Sequence, residues 1–218
     1  MKNIIFIAPP SAGKGTQAKL VSEEYNIPHI STGDLLREEM EYNTEIGKSI
    51  RSDMDKGNFV TDEVITTILE QRITQSDCKK GFILDGYPRN ISQAKKYNEL
   101  LKKRNISNVY VIFLDIDKET ALKRMLSRMI CPNCGSSYNL MIKGLKPKKA
   151  NICDRCNSEL TTRADDTETV FIHRFDNYLN STKDLIEYYD NLGLLYKIDV
   201  ADKDVHTIFE EVKEILND

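Results

Sequence analysis

The N-terminal segment places a loop of small residues between an apolar run, residues 4–7, and a segment of helical length. The loop, residues 8–16, reads APPSAGKGT. An apolar strand followed by such a loop and a helix start is typical of phosphate-binding loops, because the first N–H groups of a helix have no intrahelical partner and the helix dipole favours an anion. Lys14 adds a cation that can reach the outer phosphates of a nucleotide. The predicted contacts are Ser11, Ala12, Gly13, Lys14, Gly15 and Thr16.

The loop departs from the common pattern at two positions that bear on the metal. Ala8 stands where the pattern begins with glycine, and Gly15 follows Lys14 in place of the usual Ser or Thr that ligates magnesium. Magnesium keeps several of its waters, so carboxylates acting through water are its predicted anchors. We expect Asp34 and Asp85 in this role. Asp85 ends an apolar run, and ligands of open parallel sheets bind at the carboxyl ends of the strands.

Strand-like apolar runs recur along the chain at residues 3–8, 28–30, 81–85, 109–114 and 194–199, with amphipathic segments of helical length between them. This alternation predicts an α/β fold with a parallel five-stranded sheet and helices on both faces. Two segments break the alternation and are expected to be insertions over the substrate sites. The predicted division is a core of 1–30, 61–128 and 167–218, an insertion at 31–60 and a lid at 129–166.

Composition limits the class of partner. The 31 Lys and Arg residues and 34 Asp and Glu residues give a formal net charge of −3, which lacks the basic surplus of a general nucleic-acid binder. No apolar stretch approaches the about 20 residues that a membrane span needs. The first residues run straight into a strand without a charged leader, so we expect a cytoplasmic protein.

Two further blocks join the phosphate-binding loop, whose end reads Gly-Lys-Gly-Thr-Gln at 13–17. They are Leu-Asp-Gly-Tyr-Pro-Arg at 84–89 with Gln93, and Ser-Thr-Gly-Asp at 31–34 with Arg37. With these blocks the chain resembles the adenylate kinases over essentially its whole length. The resemblance implies magnesium-dependent conversion of ATP and AMP into two ADP by direct in-line transfer, carried out by a monomer. Another nucleoside monophosphate kinase, acting on UMP, CMP or GMP, is the alternative within the same class.

Four of the five cysteines form two pairs, Cys131 with Cys134 and Cys153 with Cys156, with eighteen residues between the pairs. This spacing is typical of a structural zinc site, in which four thiolates leave no open position on the metal. Two disulfides are the competing interpretation, disfavoured in a reducing cytosol, and the spacing also suits iron. Family members with such a ribbon use it to stiffen the lid over ATP. Five basic residues of the predicted lid leave a zinc-ribbon nucleic-acid binder as the rival from another class: Lys143, Lys146, Lys148, Lys149 and Arg155.

The resemblance also assigns the cations expected to converge on the phosphates. Arginine suits this role because its planar fork grips phosphate oxygens in pairs. The expected catalytic set is Lys14, Arg89, Arg128, Arg163 and Arg174. On the ATP side the resemblance adds Arg124, Ser137, Tyr138 and Lys203. On the AMP side it implies Thr32, Arg37, Asn58, Phe59, Val60, Gly86, Tyr87, Pro88, Arg89, Gln93, Arg163 and Arg174.

Several of these assignments have a plain structural alternative, and the family pattern is not matched everywhere. Phe59 and Val60 suit core packing equally well, and Tyr138 suits an aromatic residue inside the ribbon. Ser11 replaces a loop glycine, and Val200 replaces the glycine that usually follows the last strand. Ala8 and Ser11 together are expected to lower the affinity for ATP without abolishing activity, since every charged group needed is present.

Overall fold

The computed structural model describes residues 1–41, 44–55, 60–163 and 166–217, and the side chains of all of these except residues 37 and 52–55. The strands are β1 (Lys2–Ile7), β2 (His29–Ser31), β3 (Gly81–Asp85), β4 (Val109–Asp115), β5 (Arg128–Ile130), β6 (Ser137–Asn139) and β7 (Leu195–Asp199). The helices are α1 (Lys14–Tyr25), α2 (Thr32–Glu41), α3 (Glu45–Asp55), α4 (Asp62–Ile73), α5 (Ile91–Lys103), α6 (Lys118–Leu126), α7 (Glu168–Asn191) and α8 (Val205–Asn217).

The main sheet has the strand order β2-β3-β1-β4-β7, and β5 pairs with β6 in a separate two-stranded sheet. In sequence order the strands of the main sheet alternate with helices, so each parallel neighbour is reached by a crossover. The α/β class with a five-stranded parallel sheet is thereby confirmed. The five strand predictions agree with the observed strands to within one or two residues.

The chain divides into two compact units. The first comprises residues 1–7, 18–112 and 184–196, and the second comprises residues 8–17, 113–183 and 197–218. This grouping follows spatial contacts, and it does not test the predicted division into core, insertion and lid, which stays a prediction.

In the first unit the core is built on β3, which pairs in parallel with β1 on one side and β2 on the other. Ile4 lies opposite Ile83, and Ile30 lies opposite Leu84, with all four side chains buried. Runs of branched apolar residues suit these positions because a central parallel strand is covered on both faces. The same register sets Ser31 opposite Asp85. It therefore brings the start of α2 to the carboxyl end of β3.

In the second unit, helices α6 and α8 begin with side-chain caps. Asp117 accepts a hydrogen bond from the Thr120 N–H at the start of α6, and Asp204 accepts from the His206 and Thr207 N–H groups at the start of α8. Such caps satisfy donors that a helix start leaves open. Helix α8 buries Ile208, Phe209, Val212 and Leu216, whose three- and four-residue spacing places them on one face. Among the described residues, no helix is both long and apolar enough to cross a membrane.

Candidate active site

The phosphate-binding loop lies in the second unit and has the predicted geometry at its helix end. Helix α1 begins at Lys14, and the Gln17 N–H donates to the Gly13 carbonyl at 3.0 Å. The N–H groups of the first helical residues therefore precede the first helical hydrogen bond and suit an anion. Ser11 has a φ of +65°, and its buried hydroxyl meets no hydrogen-bond partner among the described residues. This serine thus adopts a conformation that glycine adopts more easily.

A narrow cavity beside this loop brings together residues that the sequence assigns to ATP. Ala12, Gly13 and Thr16 line it together with Arg124, Lys203 and Gln17. Its apolar wall is formed by Ile142, Leu145, Val205 and Ile208. Ile142 and Leu145 were not among the predicted site residues, because nothing in their spacing marks them. Gln17 ends the block at 13–17, but no contact was assigned to it.

Arg124 is almost fully buried and makes contacts that the sequence did not suggest. Its guanidinium Nη2 donates to the carbonyl of Val200 at 2.6 Å and to that of Ala201 at 3.0 Å, and the Asn139 side chain donates to the Arg124 carbonyl at 2.7 Å. Burial lowers the pKa of this guanidinium. Arg124 therefore fastens α6 to the loop after β7 and to strand β6. Lys203, on the same loop, pairs with Glu211 at 2.7 Å.

Arg128 and Asp166 stand at the two ends of the predicted lid segment and form an ion pair. Arg128 Nε donates to Asp166 Oδ2 at 2.8 Å, and its Nη2 donates to Asp166 Oδ1. The Asp166 side chain is only 2% exposed and that of Arg128 is 20% exposed. Arg163 and Arg174 are both exposed, the latter on α7.

The four clustered cysteines of the second unit form a site that can hold a metal ion. Their sulfur atoms all lie within 4.8 Å of one another, and all five cysteines of the chain are free thiols. The competing disulfide interpretation is therefore not what the structure contains. Cys131 and Cys153 are buried, and the set offers sulfur donors alone, which suits a closed tetrahedral site for zinc or iron.

Tyr138 lies inside this ribbon. Its hydroxyl is 3.4 Å from Cys153 Sγ and accepts a hydrogen bond from the Asp154 N–H at 2.7 Å. Removal from water raises the pKa of the Tyr138 phenol to about 12. The alternative of a ribbon-core aromatic describes the observed contacts, whereas a contact of Tyr138 with ATP stays a prediction. Ser137 is the exposed first residue of β6, and its contact with ATP likewise stays a prediction.

In the first unit, Thr32 at the start of α2 contacts the turn after β3, which contains Gly86 and Arg89. The Thr32 hydroxyl donates to the Gly86 carbonyl at 3.1 Å, and Arg89 Nε donates to the same carbonyl at 2.8 Å. Gly86 has a φ of +84°, and a methyl group there would lie 2.9 Å from Thr32 Oγ1. Only glycine fits both the conformation and the space. Three predicted AMP contacts are thus brought together around one carbonyl group.

Gln93 orders the neighbouring turn through both ends of its buried amide. Its Oε1 accepts from the Arg89 N–H at 2.7 Å, and its Nε2 donates to Asp62 Oδ1 at 2.6 Å. Its own N–H donates to the Asn90 cap at 2.8 Å. Asp62 was not predicted, because it lies 31 residues away in sequence.

The predicted magnesium carboxylates both lie near the carboxyl end of β2 and β3. Asp85 Oδ2 is 3.1 Å from His29 Nε2, a partner that the sequence did not indicate. Asp34 lies in the first turn of α2 and is exposed. The contact between His29 and Asp85 has one signal in the sequence, which is the alternation of side chains along β2. This alternation places His29 and Ser31 on the same face of that strand.

The remaining AMP assignments are placed as follows. The Tyr87 ring is buried, with its hydroxyl donating to the Gln93 carbonyl at 3.2 Å, and burial raises its pKa. Pro88 follows in a cis peptide and is buried, and Val60 is half-buried. The predictions for Asn58, Phe59 and the Arg37 side chain lie outside the described residues.

A strand of a parallel sheet that leads into a phosphate-binding loop and a helix beginning at lysine defines a P-loop nucleotide-binding protein. The adenylate kinase family model matches residues 6–194. The chain is 46% identical to the adenylate kinase of Archaeoglobus fulgidus over 98% of its length and 97% of that protein. It is 45% identical to that of Caldanaerobacter subterraneus, covering 98% and 95%, and 41% identical to that of Bacillus cytotoxicus, covering 98% of each.

The chain belongs to the adenylate kinase family. Its predicted class, an enzyme of the nucleoside monophosphate kinase type that transfers phosphoryl groups, is confirmed by this membership.

Proposed function

We propose that the protein catalyses the reversible transfer of the γ-phosphoryl group of ATP to AMP, giving two ADP. An oxygen of the AMP phosphate forms the new bond to the γ-phosphorus as the bond to the β-phosphate oxygen breaks, and ADP leaves in line. No general base is needed, because the acceptor phosphate is already an anion. Phosphoryl transfer of this kind depends on positioning and charge stabilisation in a site that excludes water.

The donor half of the site is assigned to the second unit. Backbone N–H groups at the start of α1 and the Lys14 ammonium hold the phosphates of ATP, and the side chains around the narrow cavity beside Arg124 and Lys203 contact the adenine end. The observation that carries this assignment is that the loop residues Ala12, Gly13 and Thr16 line one cavity with Arg124 and Lys203. Apolar residues line the rest of that cavity and offer a surface against which the face of a base packs.

The acceptor half is assigned to the first unit. Arg89, whose Nε is held on the Gly86 carbonyl, binds the AMP phosphate through the remaining N–H groups of its fork. Thr32 and Gln93 set the shape of the base pocket. Gln93 is a positioning residue for Arg89 as well, since its Oε1 fixes the Arg89 backbone.

Magnesium is assigned to Asp34 and Asp85, which lie near the carboxyl ends of β2 and β3, where the sheet offers its ligand edge. These two carboxylates fit magnesium, because the ion keeps several of its water ligands and carboxylates can bind it through them. Bound there with ATP, it would neutralise charge on the transferring phosphates.

The four-cysteine ribbon is assigned a structural zinc ion that stiffens the lid, residues 129–166, within a chain whose core is residues 1–30, 61–128 and 167–218. The segment 31–60 is assigned to AMP. A monomer in the cytoplasm, acting on ATP, AMP and ADP without nucleic acid or membrane partners, is the form that we propose. Arg163 and Arg174 contribute to phosphate charge stabilisation when the lid segment closes.

The deciding experiment is ³¹P NMR of the protein with Mg·ATP and, separately, AMP, GMP, CMP and UMP. We expect ADP from ATP and AMP, and little transfer to the other three. Lys14→Met and Arg89→Ala should each lower turnover by at least about 100-fold, the scale of one lost preorganised contact. The matched control is Arg104→Ala, which removes an exposed arginine paired with Glu70 and should leave turnover unchanged.

The outcomes separate the candidate functions. Transfer to UMP, CMP or GMP in preference to AMP would assign the second candidate, another nucleoside monophosphate kinase, with the same mechanism. Absence of any transfer, together with salt-sensitive RNA or DNA binding at micromolar protein, would favour the zinc-ribbon binder. Near-normal turnover in Lys14→Met or Arg89→Ala would contradict the site assignment.

A further inference from the structure

A second concave region lies in the first unit, at the edge of the sheet where β1 and β3 begin. It is a cavity of about 400 Å³ lined by Met1, Lys2, Tyr25, Ile27, Lys79 and Lys80. Its volume falls within the range of about 300–1,000 Å³ found for small-molecule pockets. Asp85 lies at the opposite, carboxyl end of β3, about 13 Å from Gly81 along the strand at 3.3 Å per residue. The cavity is therefore separate from the acceptor site.

Among the described residues that line the cavity, three of six are lysines and none carries a carboxylate. The backbone brings these lysines together. Lys2 pairs with Gly81 in the parallel register of β1 and β3, and a short 3-10 helix, Ser76–Lys80, ends immediately before Gly81. A methyl group on Gly81 would lie 2.0 Å from the Lys2 carbonyl oxygen. Glycine at this position thus allows the close approach that sets Lys79 and Lys80 beside Lys2.

The Lys2 ammonium is held by aromatic rings. Its Nζ lies 5.1 Å from the centroid of the Tyr25 ring and 5.9 Å from that of Tyr110. Cation–π contacts of this length are attractive and fix the position of a flexible side chain. A cation that is already positioned loses less conformational entropy when it binds an anion. Lys79 and Lys80 are exposed and add mobile charge at the cavity mouth.

We propose that this cavity binds a small anion with two or more phosphate groups, at a site that is distinct from the donor and acceptor sites. Three ammonium groups around one concavity match the charge of such an anion, and an ammonium is a strong donor to phosphate oxygens. The buried Ile27 and the Tyr25 ring supply an apolar wall that excludes water from one side. The proposal does not depend on which monophosphate the enzyme accepts.

The test is an amide NMR titration of the full chain with inorganic pyrophosphate at low salt, because screening weakens exposed charge pairs. Residues 1–2, 25–27 and 79–81 report on the cavity, whereas residues 11–17 report separately on the phosphate-binding loop. We expect saturable shifts in the first group, and a weaker response there to orthophosphate. An absence of saturable shifts at these residues would overturn the proposal.

The variant Lys79→Ser/Lys80→Ser should weaken the response at the cavity by on the order of tenfold, since each charge-assisted contact contributes appreciably. The matched control is Lys102→Ser/Lys103→Ser, which removes two adjacent lysines from the last turn of α5 and the same net charge. An equal loss in both pairs would show a general charge effect and would also overturn the proposal. Turnover should be unchanged in both.

A further variant, Tyr25→Leu, should weaken pyrophosphate binding several-fold by releasing Lys2, while the loop residues 11–17 respond as before. The source of the ligand is decided by comparing pyrophosphate with ADP at the cavity residues. A tighter response to pyrophosphate identifies a free polyphosphate, and a tighter response to ADP identifies a nucleoside-linked one. Either order retains the site, and neither depends on the outcome of the turnover assay.

Discussion

Arg128 and Asp166 close the predicted lid segment with a two-point ion pair, although they lie 38 residues apart in sequence. The Asp166 side chain is only 2% exposed, and both of its carboxylate oxygens accept hydrogen bonds from the Arg128 guanidinium. The family resemblance assigned Arg128 to phosphate, and its observed partner, Asp166, lies at the other end of the predicted lid segment. A bound phosphate would thus compete with Asp166 for the same fork. We therefore expect nucleotide binding to be coupled to the position of the predicted lid segment.

Asp166→Asn should weaken this closure by about 2 kcal/mol, the scale of hydrogen bonds to a charged group. The expected result is faster amide hydrogen exchange in residues 129–163 than in α8. The control is Asp176→Asn, whose carboxylate is half exposed and pairs with Lys118 at 3.2 Å. That exposed pair should change stability by less than about 1 kcal/mol. Equal exchange in both variants would show that the ion pair does not hold the lid.

Gly86→Ala should raise the KM for AMP by roughly tenfold, because strain of about 1–3 kcal/mol is concentrated where Thr32 and Arg89 converge. Its methyl group would lie 2.9 Å from Thr32 Oγ1 and 3.3 Å from Arg89 Nη2. Gly193→Ala is the control, since Gly193 has a φ of +67° with open space around it. Steady-state kinetics should show an AMP effect in the first variant alone. An equal rise in the KM for ATP in Gly86→Ala would contradict the assignment of this turn to the AMP site.

Ser11→Gly should stabilise the protein by about 1 kcal/mol and tighten ATP binding. It relieves a serine in the left-handed conformation and deletes a buried hydroxyl that has no partner in the described part of the chain. The comparison is Ser181→Gly in α7, an exposed helical position. There glycine should destabilise by about 0.5–1 kcal/mol. Thermal unfolding and nucleotide titration measure both effects. Loss of stability in Ser11→Gly would show that the serine is accommodated without strain.

The Asp204 cap should make the stability of α8 depend on pH. Hydrogen bonds from the Thr207 and His206 N–H groups hold the pKa of Asp204 below its usual value. A carboxyl with a lowered folded pKa contributes stability above its unfolded pKa and loses it as pH falls through the folded pKa. The melting temperature of Asp204→Ala should therefore lie below that of the wild type near pH 6 and approach it near pH 3.

Asp204→Asn provides the control, because an asparagine side chain caps a helix at every pH. Its melting temperature relative to Asp204→Ala should stay constant over the same range. If the melting temperature of the wild type exceeds that of Asp204→Ala by as much at pH 3 as at pH 6, ionisation of the Asp204 cap is not the cause of the difference.

Removal of the ribbon metal should loosen residues 131–160 while the main sheet remains folded. A structural zinc ion supplies most of the folding energy of an isolated finger, but here a separate apolar core remains. Cys131→Ser should lose the bound metal, whereas Cys78→Ser should retain one metal ion per chain, since Cys78 lies outside the cluster. Elemental analysis measures the metal content of each variant, and circular dichroism after chelation measures how much of the fold remains. Unfolding of the whole chain at room temperature would contradict this picture.

Much of the fold and of the site followed from local patterns. The alternation of apolar strands with helical segments is a property of neighbouring residues, so the strand positions and the α8 stripe were predictable. The loop at residues 8–16 and the paired cysteines carry their chemistry in fixed spacings, which is why the phosphate-binding loop and the four-sulfur cluster needed no tertiary information. The family resemblance extended these signals to the dispersed arginines.

Tertiary structure decided the contacts between residues far apart in the chain. Strand register and helix packing decide four such sets of contacts. They are the hydrogen bond between Gln93 and Asp62, the contact of His29 with Asp85, the ion pair of Arg128 with Asp166, and the hydrogen bonds from Arg124 to two carbonyl groups. Alternation along β2 places His29 on the same face as Ser31. No periodicity specifies the partner of any of these residues, because a hydrogen bond forms wherever folding brings a donor to an acceptor. The same holds for Lys2, Lys79 and Lys80, whose common cavity exists because β1 and β3 start side by side. Sequence determined which groups were available, and packing determined their partners.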